Sequence, residues 1–179
     1  MAKAMTGSFT ISHTLTQDAL GFLTGAIPIG SLIDVGDAQA LEIESVDYIW
    51  QNYDKANDKY EPVHDSGPFS TDAAWGAQLM DRNAQTWLVA SDNNLISSSA
   101  VYFDLAGGVS VGSDFFPDDF QKNAGRFVVN DELYLVGNVA VGTFATNMQL
   151  KCTVRVRAKV VKLSTRDWMA ISLETVQNE

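Results

Sequence analysis

The chain has a single cysteine, Cys152, in 179 residues. An intramolecular disulfide is excluded, and with it the stapled frameworks of small secreted domains. Histidine is nearly as scarce, with only His13 and His64, so a metal centre built from several strand-borne imidazoles has too few ligands. No apolar run of about 18 residues occurs, which removes a membrane-spanning helix. The opening MAKAMTGSFTISHTL carries Thr, Ser and His where a signal peptide needs an unbroken apolar stretch, and the expectation is a soluble protein made in the cytoplasm. Basic residues are few: 12 Lys and Arg against 22 Asp and Glu leave a net charge of −10, which disfavours non-specific adherence to nucleic acid or anionic membrane. Also missing are Gly-x-Ser-x-Gly, His-Glu-x-x-His, paired Cys-x-x-Cys, the phosphate loop and the dinucleotide fingerprint. The expectation is therefore a protein that is not an enzyme and holds no cofactor.

What is present begins with Gln149 to Leu163, QLKCTVRVRAKVVKL. Leu150, Cys152, Val154, Val156, Ala158 and Val160 alternate with Lys151, Thr153, Arg155, Arg157 and Lys159, the period of a half-buried strand. At about 3.3 Å per residue it runs roughly 50 Å, long enough to cross a whole sheet. Cys152 on its apolar side reads as a small buried hydrophobe. Ser164-Thr165-Arg166-Asp167 follows as a helix cap, and WMAISLETV continues a helix over about 164–176. Six of the twelve basic residues fall in the last 29 positions, which makes the polar side of this strand the main positive surface. Lys151, Arg155, Arg157 and Lys159 are candidates to pair with Glu42, Glu44 or Asp47 of neighbouring strands or with the acidic surface of another subunit, or to stay solvated.

Upstream, Ser8 to Thr16 alternates as a strand, with His13 on its apolar side as a satisfied interior residue. Gly21 to Gly36 reads as a glycine-rich connection with one short strand around Ser31 to Val35. Ala40 to Gln51 alternates but changes its apolar side near Ser45, which predicts a bulge or a sandwich strand that moves from one environment to another; Glu42 and Glu44 within it read as a solvated acidic pair. Asn52 to Asp72 reads as a long surface loop, and its His64-Asp65 lacks the nucleophile that a catalytic dyad requires. Ala73 to Arg82 suggests a short helical turn, and Thr86–Ser91 with Leu95–Asp104 a hairpin about Asp92-Asn93-Asn94. Gly107 to Gly125 reads as a loop. Its Asp114, Asp118 and Asp119 are weak calcium candidates without the calcium-loop spacing, while Phe115, Phe116 and Phe120 read as anchors to a neighbour or to the sandwich. Arg126–Val129 and Glu132–Val141 complete a set of eight or nine strands.

Many short strands, irregular loops and one terminal helix predict an all-β antiparallel sandwich, one domain over 1–179 with a short N-terminal arm. The two extended loops and the long closing strand favour the jelly roll over the immunoglobulin-like arrangement. In this layout (FTISHTL, ALEIESVDYIWQ, long loops, and LKCTVRVRAKVVKLS with its helix) the chain resembles single-jelly-roll viral capsid proteins. The resemblance implies a structural protein of the virion that self-associates into capsomers and an icosahedral shell, with other virion proteins as further partners. It departs from the many small viruses whose capsid protein has a basic arm: residues 1–15 hold only Lys3, so direct nucleic-acid binding is not expected. The assembly contacts are expected at Lys151, Arg155, Arg157, Lys159, Trp168, Phe115 and Phe116. Two other readings are a carbohydrate-binding jelly roll, using Trp50, Tyr53, Tyr60 and Trp75 to stack on sugars, and a virion spike or fibre head.

Overall fold

The structure, a computed structural model, describes residues 2–62, 69–104, 108–111 and 126–176. Two antiparallel sheets face one another across a single main apolar cluster. The first contains β1 (Lys3–Ala4), β2 (Phe9–Gln17), β4 (Gln39–Asp54), β5 (Lys59–Pro62), β9 (Arg126–Val128) and β11 (Met148–Lys162). The second contains β3 (Gly21–Pro28), β6 (Ala73–Met80), β7 (Leu95–Asp104), β8 (Gly108–Val111) and β10 (Glu132–Val141). Across the first sheet the order is β2–β11–β4–β9, and across the second β3–β10–β6–β7. This interleaving of eight strands between two sheets is the jelly roll; β1, β5 and β8 are short additions at its margins.

β11 is the centre of the first sheet because its alternation gives it one face for the core and one for solvent. Leu150, Cys152, Val154, Val156, Ala158 and Val160 are all at most 4% exposed, and burying a side chain of Val or Leu size contributes about 1.5–3 kcal/mol. Its inner neighbours on β4 are Val46, Tyr48 and Trp50, and on β2 Ile11, His13 and Leu15. Across the sandwich the Leu79 backbone N–H donates to Tyr48 Oη at 3.2 Å, and Trp50 meets Trp75 edge-on with ring centroids 4.6 Å apart.

The change of side near Ser45 is a β-bulge. Arg157 pairs with Ser45 and Ala158 with Ile43, so Glu44 is the extra residue, and the inward set shifts from Leu41 and Ile43 to Val46, Tyr48 and Trp50. The helix α1 (Thr165–Val176) also forms, with Ser164 Oγ accepting from the Asp167 N–H at 3.2 Å.

Four expectations are corrected. The first is the strand expected near Ser31–Val35: the strand is instead Gly21–Pro28, and Val35–Asp37 is a turn of 3₁₀ helix capped by Asp34. The second is the helical turn at Ala73–Arg82, which is the strand β6, buried on both faces. The third is the hairpin partner Thr86–Ser91, which forms no strand; β7 pairs with β6 and β8. The fourth is the loop from Asn52, which contains the end of β4 and all of β5 before residues 63–68, outside the described set.

Candidate functional site

The outward side of the first sheet carries nearly all the charge that the sequence places on β11. Running across it, Arg157 lies between Thr10 and Ser45, Arg155 between Ser12 and Asp47, Thr153 between Thr14 and Ile49, and Lys151 between Thr16 and Gln51. β2 thus contributes only hydroxyls, and Thr14 Oγ1 lies 2.8 Å from Thr153 Oγ1.

At the bulge, Lys159 Nζ is 3.1 Å from Glu42 Oε1 and 3.4 Å from Glu44 Oε1, while Arg157 Nε is 3.2 Å from Glu44 Oε2. Glu44 is 7% exposed. Burial pushes its carboxyl up, but the Ser8 hydroxyl, Lys159 and Arg157 together outweigh it and hold the carboxyl below its ordinary range. The hydrogen bond to Glu42 holds the Lys159 ammonium above its ordinary value. The expected solvated acidic pair is therefore neutralised by strand neighbours on the same face.

Arg155 stands directly opposite Asp47 in register, and among the described residues neither makes a salt bridge. Lys151 lies over the Tyr53 ring, 4.1 Å from its centroid, and donates to Tyr60 Oη at 3.2 Å. The basic face divides accordingly: Arg157 and Lys159 hold the bulge, Lys151 caps a tyrosine pair, and Arg155 points its charge outward.

The other candidates separate. Trp168 and Ile171 pack on Ala40, Val129, Val161 and Leu163, fastening α1 to the sandwich. Of the four aromatics suggested for sugar stacking, Trp75 is 1% exposed and Trp50 is packed against it, so both belong to the core. Tyr53 and Tyr60 lie at the surface with ring centroids 5.0 Å apart. Burial pushes the Cys152 thiol far above its ordinary range and lowers the basicity of His13. His13 fits against Gly25 of β3, where a Cβ would lie 2.5 Å from its Nε2. His64, Asp114, Phe115, Phe116, Asp118 and Asp119 lie outside the described residues. Among the described residues no group of three His, Cys, Asp or Glu is placed to hold a metal ion.

One feature escaped the reading of the sequence. β2 and β3 are edge strands on the same side of the two sheets, each paired on one edge only among the described residues. From Ala4 to Ile33 the chain carries one charged residue, Asp18. The signal in the sequence is a plain count of charges. Beside these edges Leu20, Phe22 and Leu23 are exposed by 55%, 47% and 38%.

No protein-family model matches the chain, and no curated protein matches it. Among solved structures, Merkel cell polyomavirus VP1 in complex with 3'-sialyllactosamine aligns with TM-score 0.47 at 10% identity, over 90% of this chain and 98% of that one. The unassembled pentamer of the same VP1 aligns with TM-score 0.42 at 10% identity, over 90% and 98%. Desmodium yellow mottle tymovirus aligns with TM-score 0.27 at 11% identity, over 89% and 90%. The jelly roll itself is defined by the chain's own strand order.

Proposed function

We propose that the protein is a structural capsid subunit that assembles with copies of itself into capsomers and a shell. The observation that carries this reading is the open side of the sandwich. Edge strands offer unpaired N–H and C=O groups to any other strand, and proteins guard them with lysines, prolines, bulges or covering segments. Here two adjacent edges have one charge in thirty residues, Ala4 to Ile33, with exposed Leu20, Phe22 and Leu23 beside them. A surface of that kind favours cover by a second copy, through strand addition or packing of side chains.

The basic outward face supplies a second contact. On a molecule of net charge −10, the outward Arg155, flanked by Lys151, Arg157 and Lys159, whose own charges are engaged within the fold, is proposed to meet the acidic surface of a neighbouring copy. Trp168 on α1 and the aromatics Phe115 and Phe116 belong to the same set of proposed contacts. The proposed location is the virion. Mass photometry and negative-stain electron microscopy across protein and salt concentration test the reading. Rings or shells are expected. A monomer under every condition overturns it, and a discrete trimer favours a spike or fibre head instead.

A further inference from the structure

The outward side of the second sheet has a different chemistry. On β6, Gln78 clamps the segment that follows: its Oε1 accepts from the Leu88 N–H at 2.9 Å and its Nε2 donates to the Leu88 carbonyl at 3.1 Å. Leu88 is thereby buried with Met80, Leu95 and Val136. The neighbouring residue, Trp87, is set down on the sheet over Gly76. A Cβ at position 76 would lie 2.8 and 2.9 Å from Trp87 Cη2 and Cζ2, so the absent side chain is what lets the ring edge reach the backbone. Phe22 braces the indole edge-on, with centroids 6.3 Å apart and planes at 74°.

Beside Trp87 is a concavity of about 280 Å³. Its floor is made of small residues, Gly76, Ala100 and Ala140, and Tyr102, 48% exposed, lies along it as a second aromatic. Ser98 and Asn138 also line it, and among the described residues neither side chain has a hydrogen-bond partner. Among the described residues, no Lys, Arg, Asp or Glu is in the lining.

We propose that this slot binds a neutral hexose or N-acetylhexosamine unit of a glycan. Ligand sites combine mostly apolar walls with a few placed polar groups. Aromatic rings beside a floor of small residues accept the C–H face of a pyranose, and an amide and a hydroxyl pair with its hydroxyls. A nucleotide would bring phosphate and call for lysine or arginine, as would an acidic sugar. A purely aliphatic side chain from another protein would leave Asn138 unpaired on desolvation, a cost that disfavours it.

The test uses the full chain with methyl glycosides of glucose, galactose and N-acetylglucosamine, and a sialylated trisaccharide for comparison, followed by saturation-transfer NMR. Saturable binding of at least one neutral glycoside is expected, with Kd on the order of millimolar. It should weaken by about tenfold or more in Trp87→Ala and in Tyr102→Ala, roughly the effect of losing 1.4 kcal/mol. The exposed Tyr102 leaves the core intact in the second variant, and near-ultraviolet circular dichroism checks both folds. Absence of saturable binding, binding unchanged in a folded Tyr102→Ala, or preference for the sialylated ligand overturns the assignment. None of these outcomes depends on self-assembly.

Discussion

Replacing Glu44 by glutamine keeps the shape of the bulge and removes its charge. The carboxylate, 7% exposed, lies between Arg157 Nε at 3.2 Å and Lys159 Nζ at 3.4 Å. The Arg157 side chain is 58% exposed and makes no hydrogen bond to Glu44 Oε2, which is left without a hydrogen-bond partner; a solvent-screened pair of this sort contributes about 0–1 kcal/mol. Lys159 is better shielded, at 27% exposed, and keeps Glu42 at 3.1 Å in the variant. No buried charge is orphaned, so the penalty of about 3–5 kcal/mol for breaking a buried pair does not apply. The expected loss is about 1–2 kcal/mol, or about 3–6 °C in Tm for a chain of this size.

The pH dependence follows from the same contacts. Because the folded carboxyl is held below its ordinary range, its contribution is complete above the unfolded pKa of about 4.3. It is lost as pH falls through the lower folded value. Urea unfolding followed by tryptophan fluorescence should therefore separate Glu44→Gln from the parent at about pH 7, and the gap should narrow progressively as pH falls below about 4.3. A variant as stable as the parent at neutral pH, or a gap that persists in acid, refutes the role given to the bulge.

Further outcomes are expected elsewhere. Gly25→Ala places a methyl 2.5 Å from His13 Nε2 and 3.2 Å from Leu15 Cδ1; a loss of about 1–3 kcal/mol in a urea melt is expected, partly recovered by adding His13→Ala. Cys152, fully buried with its thiol pKa raised, should resist alkylation in the native protein and react only at the rate of unfolding, as read by mass spectrometry. Ser164→Ala removes the cap on Asp167 and should cost about 1 kcal/mol, visible as a lower Tm. Arg155→Glu reverses a charge that makes no salt bridge among the described residues, so the fold should survive while assembly by mass photometry is lost; unchanged assembly shows that this position is only solvated.

Strands with one wet face were legible from sequence, and strands covered on both faces were not. β2 and β11 declare themselves by alternation, and the phase change in ALEIESVDYIWQ located the bulge because inner and outer faces are chemically distinct there. β6 was misread as helical because AAWGAQLM has apolar residues on both sides. The main core covers one side, and the Gln78-clamped segment covers part of the other. β3 was missed because glycine and proline suggest a connection, while its exposed Phe22 and Leu23 blur the period. The basic face was visible as a pattern, but its division was not. Which carboxylate meets Arg157 and which meets Lys159 depends on the single-residue offset at Glu44. Trp50 and Trp75 resemble surface aromatics in sequence only because the opposing sheet that buries them is distant along the chain.

The proposed assembly through the open edges is tested most directly by hydrogen exchange on free and assembled protein, resolved at Phe9–Gln17 and Gly21–Pro28. In a free protomer alternate amides of each strand lack a ladder partner on the outer edge among the described residues. Self-assembly through this side predicts strong new protection of those amides in the assembled material, together with slower exchange around Leu20 to Leu23. Assembled particles in which both strands exchange as fast as in the free protomer contradict the account.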